Sequence, residues 1–194
     1  MIVDNFELIK PFLEFPNNDI YYHLQILRRG KDHPELPAAN RMIKSYFICS
    51  LEGLDYVEQE IKRLCDFFGA RAYINLAPKS IKKTTMLQLK YLAERAYIGD
   101  YKKIWKSWNT CAGEIKGEES RWVIDVDDIS NDKIVGDIVV FISGLEPIGD
   151  KFIVAIPTKS GCHLITTPFN LQKFKEKYPD IDVHKNNPTL LYAI

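Results

Sequence analysis

The stretch RWVIDVDD, residues 121–128, decides how the second half of this chain is read. Trp122, Val123, Ile124 and Val126 make a good β run, yet Asp125 and Asp127 interrupt it. Side chains alternate across a strand with period 2, so the two carboxylates share one face and Ile124 and Val126 take the other. Two carboxylates fixed side by side repel each other, and burying them without a cation is costly. The face that carries them is either a wet edge or a wall opposite positive charge.

Working outward from this strand, NDKIVGDIVVFISG (131–144) reads as mostly helical, although its Val and Ile content also suits a strand. KFIVAIPT (151–158) and CHLITT (162–167) are predicted strands joined by the short loop KSG, hence a hairpin. NLQKFKEKY (170–178) is a predicted helix begun by Asn170, a sound N-cap, and DIDVHKNNPTLLYAI (180–194) closes as a strand or strand pair. The order β-α-β-β-α-β is the split βαβ, ferredoxin-like pattern. Its first and third strands are central, which makes Asp125, Asp127 and His163 expected neighbours on one sheet face.

Upstream, residues 1–43 are expected to form a helical lead-in, with DIYYHLQILRR (19–29) followed by the Pro- and Gly-rich loop GKDHPELPAAN (30–40). KSYFICS (44–50) reads as a strand. GLDYVEQEIKRLCDFFG (53–69) is an amphipathic helix with Leu54, Val57, Ile61, Leu64, Cys65 and Phe68 at three- and four-residue steps and Gly69 as C-cap. RAYINLA (71–77) is the next strand, a long helical region runs from Ser80 towards Trp108, and CAGEIKGEES (111–120) reads as a loop. The expected architecture is a single α+β domain. An N-terminal αβ unit (44–110) packs on a ferredoxin-like or RRM-like βαββαβ catalytic core (119–194).

With 194 residues, 46% of them hydrophobic and 27% charged, the chain can build a sizeable core without staples. Its formal net charge is zero, so a nucleic-acid surface requires local clustering of cations. Cys49, Cys65, Cys111 and Cys162 are widely spaced with no C-x-x-C pair, which argues against a zinc ribbon or a disulfide framework and suits a reducing compartment. The first ten residues, MIVDNFELIK, do not resemble a signal peptide, and no stretch approaches the roughly 20 apolar residues of a membrane span. The expectation is a cytoplasmic protein with no membrane partner. His23, His33 and His184 read as polar surface residues.

Three short segments carry the chemistry: Asp125 with Asp127; the turn TKSGCH with Lys159, Ser160 and His163; and DIDVHK with Asp180 and Asp182. Three carboxylates converging from adjacent strands make an oxygen cage suited to Mg2+ or Mn2+, and two such ions can clamp both oxygens of a phosphoryl displacement. Lysine, serine and histidine beside that cage can hold phosphates. Asp180 and Asp182 lie two residues apart, so periodicity does not separate them.

These residues resemble the catalytic subunits of the archaeo-eukaryotic primase superfamily, which includes the primase-polymerases. VIDVD is similar to that family's hhhDxD strand, KSGCHLI to its glycine turn ending in histidine, and DIDVHKNNPTLLY to its late acidic strand. The turn is one residue shorter than the usual glycine-rich form, and no cysteine/histidine zinc stem is present. The resemblance implies a template-directed nucleotidyltransferase that adds nucleoside triphosphates to a nucleic-acid 3′ end. By it Asp125, Asp127 and Asp180 hold two Mg2+ or Mn2+ ions without zinc, and Lys159, Ser160 and His163 grip the triphosphate. It further implies a single-stranded DNA template and a helicase or other replication protein acting in trans.

Between residues 79 and 106, Lys79, Lys82, Lys83, Lys90, Arg95, Lys102, Lys103 and Lys106 face only Glu94 and Asp100, with Tyr91, Tyr97, Tyr101, Trp105 and Trp108 interleaved. A solvated helix face explains this run. So does a template track, in which Lys82, Lys83 and Lys90 contact phosphates and the rings stack on bases. Three further readings stand beside the transferase: a non-catalytic single-strand-binding RRM-like module, a metal-dependent nuclease on the same acids, and an inactive primase relative.

Overall fold

The computed structural model describes residues 2–30, 32–33, 40–127 and 132–194, with the backbone alone at Asn40 and Asp132. The described chain is α+β, with two antiparallel sheets. Its first half runs β1 (Val3–Asp4), α1 (Phe6–Ile9), β2 (Ile20–Arg29), β3 (Asn40–Ile48), α2 (Leu51–Phe68), β4 (Arg71–Ile74), β5 (Lys79–Ser80), α3 (Ile81–Tyr97) and α4 (Ser107–Glu114). The second runs β6 (Trp122–Val126), α5 (Asp132–Ser143), β7 (Phe152–Pro157), β8 (Cys162–Thr166), α6 (Leu171–Lys177), β9 (Asp182–Lys185) and β10 (Thr189–Ala193). No helix among the described residues is long and apolar enough to cross a membrane.

One sheet has the order β1-β10-β4-β2-β3, with β5 also paired to β2; the other has the order β7-β8-β6-β9. β10 leaves the second half to pair with β1 and β4, so the chain's last strand stitches the two halves together. On one face of the four-stranded sheet Ile124, Val126 and Leu164 pack with Ile138, Ile142 and Phe174 from α5 and α6. On the other, Val123, Val154, Ile156 and Ile165 join the core of the first sheet, with Leu24, Ile26, Ile74 and α2's Leu54 and Ile61. Each fully buried aliphatic or Phe side chain contributes about 1.5–3 kcal/mol. The seam between the sheets is thus apolar over most of its area and polar where Asp125 and His163 stand.

Helix α2 forms as its periodicity predicts. The Ser50 hydroxyl accepts from the Gly53 amide at its start, and Gly69 closes it in the left-handed region at φ 57°. The helical lead-in over 1–43 is corrected: IYYHLQILRR, Ile20–Arg29, is β2, ten residues long. That strand is paired along both edges, by β3 and β4, and its first five residues are all buried, so both faces are covered there and its apolar residues do not alternate. A continuous apolar run lacks the period that separates strand from helix, and the tertiary pairing decides. His23, read as a surface residue, is buried there against Phe47, their rings stacked at 5.1 Å.

Two smaller corrections follow in the same region. The helical stretch from Ser80 stops at Tyr97, where Gly99 takes φ 69° and turns the chain. Residues 111–114, expected in a loop, complete α4. The closing segment is a strand pair divided between the two sheets, β9 in one and β10 in the other.

Candidate functional site

Asp125 and His163 are direct partners in the β6–β8 ladder, so their side chains share a face. The His163 Nε2 lies 3.5 Å from the Asp125 Oδ1, an electrostatic contact longer than a hydrogen bond. The other ring nitrogen, Nδ1, is 2.9 Å from the Thr189 Oγ1 at the start of β10, which fixes the ring's orientation. Burial pushes the His163 pKa below its ordinary value, and the Asp125 charge opposes that shift. The imidazole is therefore neutral near pH 7.

The turn after β7 is brought against the end of β6 by its glycine. Thr158 and Gly161 close it reciprocally: the Thr158 amide donates to the Gly161 carbonyl at 2.9 Å, and the Gly161 amide to the Thr158 Oγ1 at 3.0 Å. A Cβ on Gly161 would lie 1.8 Å from the Val126 carbonyl oxygen, so only glycine permits the approach. That approach sets Lys159 and Ser160 beside Asp127. A second support is the buried Asn5, whose Nδ2 donates to the Pro157 and Leu190 carbonyls at 2.9 Å each and so ties β7 to β10.

Two adjoining cavities lie at this seam. The larger, about 230 Å³, is lined by Leu27, Arg29, Tyr73, Asp125, His163 and His184 among others; the smaller, about 70 Å³, adds Arg71, Asp127, Lys159 and Ser160. Asp125, Asp127, Lys159, Ser160 and His163 are thus brought together as the sequence predicts. Arg29 from β2 and Arg71 from β4 face them from the other sheet. Arg71 is held by Asp32 at 2.6 Å, and Arg29 leans on the Tyr73 hydroxyl at 3.4 Å. None of Arg29, Arg71, Tyr73 or Thr189 is flagged by a motif. For Arg71 and Tyr73 the signal is alternation: they interleave with the buried Ala72 and Ile74, so they point to the opposite face of β4.

The third acid does not join them. Asp180 sits exposed in the turn before β9, and it lines neither cavity. Asp182 is the residue in register with Asp125, but its side chain is 74% exposed and lies 3.7 Å from the Lys175 Nζ. Among the described residues no three His, Cys, Asp or Glu side chains are grouped as they are around a metal ion. The carboxylates come as a pair, Asp125 and Asp127. His184 lines the larger cavity instead of the outer surface.

The basic run divides in two. Lys79 is buried and donates to the Ala112 carbonyl, with its pKa lowered by burial, which removes it from any track. Lys82, Lys83 and Lys90 are exposed on α3; Lys83 pairs with Glu118 at 2.7 Å and Lys90 lies 3.8 Å from Glu94. Compared with known proteins, the chain matches no family model, no curated protein and no solved structure.

Proposed function

We propose that the groove at the sheet seam binds a nucleoside triphosphate and that the protein is a template-directed nucleotidyltransferase of the primase-polymerase kind. One observation carries the reading: Asp125 and Asp127 face Lys159, Ser160, His163, Arg29 and Arg71 across adjoining cavities. The strand order β7-β8-β6-β9, built from a β-α-β-β-α-β chain, supports the ferredoxin-like form of the core that the resemblance implies.

In this reading Lys159, Ser160 and Arg29 hold the β- and γ-phosphates, and the neutral His163 donates from Nε2 while Thr189 holds Nδ1. The carboxylates of Asp125 and Asp127 suit Mg2+ or Mn2+, since Mg2+ commonly takes one or two protein carboxylates and completes its shell with phosphate and water. Such an ion, held by Asp125 and Asp127, would supply charge neutralisation for a phosphoryl transfer in which a 3′-hydroxyl displaces pyrophosphate. The protein's own part is to orient the phosphates and to keep the two acids level with them.

The test is primer extension on a single-stranded template with ribo- and deoxyribonucleotides, using the wild type and an Asp125→Asn/Asp127→Asn double variant. The expected result is incorporation by the wild type and a loss of at least about 100-fold in the variant with the fold retained. Equal incorporation by both sinks the reading. Template degradation without triphosphates identifies the nuclease instead.

A binding-only module is favoured by one feature: three cations, Arg29, Arg71 and Lys159, line the groove against two acids. It predicts nucleotide retention in the presence of EDTA and no incorporation under any condition.

A further inference from the structure

Hydrogen bonds at Ser80, Thr84 and Gln88 hold the first half of helix α3. The Ser80 hydroxyl caps it, and the Thr84 hydroxyl meets the buried Tyr21 Oη at 2.9 Å. The Gln88 amide reaches the Ser107 hydroxyl of α4 at 2.9 Å. Thr84 is the helix's single buried residue. Beyond Gln88 the chain continues to Tyr97, turns at Gly99 and returns to α4, and three rings on this tip stand in solvent: Tyr97 is 92% exposed, Tyr101 58% and Trp105 92%.

The charges of the tip are arranged to leave it positive. Asp100, its one acid, is taken up by the Arg95 guanidinium and by the Lys102 amide at 3.2 Å. Among the described residues Lys102, Lys103 and Lys106 have no ion-pair partner. Rings open on their faces and interleaved with unpaired ammonium groups match a ligand that offers flat apolar faces along a polyanion. A duplex hides those faces. An acidic peptide would satisfy the lysines and leave the rings in water. An interfacial membrane helix would segregate its apolar and basic residues to opposite sides, whereas here they alternate along the turn.

We propose that residues 97–106 form a binding site for single-stranded nucleic acid, with Tyr97, Tyr101 and Trp105 stacking on bases and Lys102, Lys103 and Lys106 meeting phosphates. None of these residues lines the groove, so the inference stands apart from the transferase reading. It moves the strand contact from Lys82, Lys83 and Lys90, two of which lie near acids, to the last residue of α3 and the turn that follows it.

The experiment titrates the full chain in EDTA with a fluorescein-labelled oligo(dT), read by anisotropy at several salt concentrations. The wild type is compared with Tyr97→Ala/Trp105→Ala, with Lys102→Glu/Lys103→Glu and with Asp125→Asn/Asp127→Asn. The expected result is salt-sensitive binding that competing duplex does not displace, weakened roughly tenfold or more by the aromatic variant, weakened by the lysine variant, and unchanged by the carboxylate variant. These surface changes leave the melting temperature in place. Absence of binding overturns the proposal, as does equal affinity in the aromatic variant, displacement by duplex, or tip-dependent binding to anionic phospholipid vesicles without binding to the oligonucleotide. Loss of incorporation in the carboxylate variant with oligonucleotide binding intact separates the groove from the tip.

Discussion

His163 stands directly across from Asp125 in the β6–β8 ladder, its Nε2 3.5 Å from the Asp125 Oδ1 and its Nδ1 2.9 Å from the Thr189 Oγ1. Three strands thereby fix one imidazole: β8 carries it, β6 supplies a charge, and β10 supplies a hydroxyl. Burial lowers its pKa, and the Asp125 charge opposes that shift without reversing it.

Asp125→Asn is expected to lower the His163 pKa further in metal-free protein. The sign follows from the two causes: the substitution removes the opposing charge and leaves the burial. Because the folded ring binds its proton less readily than the unfolded one, this group's contribution to stability is lost as pH falls below 6.5, and in the variant the loss extends to lower pH. NMR titration of the His163 ring protons measures it; an upward shift sinks the account.

His23 gives a second acid-sensitive term that has nothing to do with the groove. Burial first, and the Lys79 charge second, lower its pKa from 6.5 to about 4, and its Nε2 has no partner. Protonation is therefore easier in the unfolded chain, and stability falls as pH drops from 6.5 towards 4, by at most roughly 3 kcal/mol. His23→Phe keeps an aromatic ring against Phe47 and is expected to flatten this limb. Denaturant midpoints across the window decide it: an unchanged slope in the variant means the acid loss lies elsewhere.

Gly161→Ala is expected to destabilise by about 1–3 kcal/mol or more, because the new methyl meets the Val126 carbonyl oxygen at 1.8 Å and the Asp127 carbonyl carbon at 2.9 Å. Both are backbone atoms, one in the last residue of β6 and one just after it, and neither can swing aside as a side chain could. The turn must lift, which draws Lys159 and Ser160 away from Asp127. A midpoint within a few tenths of a kcal/mol of the wild type, measured by chemical denaturation, contradicts the close approach.

What the sequence makes legible is the local part of this geometry. The hairpin around KSG sets the β7–β8 pairing, and period 2 in VIDVD assigns Asp125 to the face that His163 also uses, so their meeting follows from neighbouring segments. Arg29 and Arg71 reach the groove only because β2 and β4 lie in the opposite sheet, a relation no short motif encodes. β2 itself was hidden because both its faces are covered over its first five residues and its pattern lacks alternation. The third acid failed for a local reason: β9 begins at Asp182, so Asp180 precedes the ladder and has no register with Asp125.

Asn5 joins the two halves and yields a test with a built-in control. Its buried Nδ2 donates to the Pro157 and Leu190 carbonyls, 152 and 185 residues away in sequence. Asn5→Ala leaves both carbonyls without that donor, costing about 1–3 kcal/mol at any pH. Asn5→Asp at neutral pH costs more, because a carboxylate cannot donate and faces two carbonyl oxygens in a buried place. Burial raises the pKa of such a carboxyl above its unfolded value, so its protonated form, which can donate to one carbonyl, predominates in the folded protein at low pH. Relative to the alanine variant, the aspartate variant should therefore gain stability as pH falls and lose it as pH rises through the raised value. Parallel pH profiles for the two variants would show that Asn5 does not bridge the sheets by donating, and the link between β7 and β10 would have to come from packing alone.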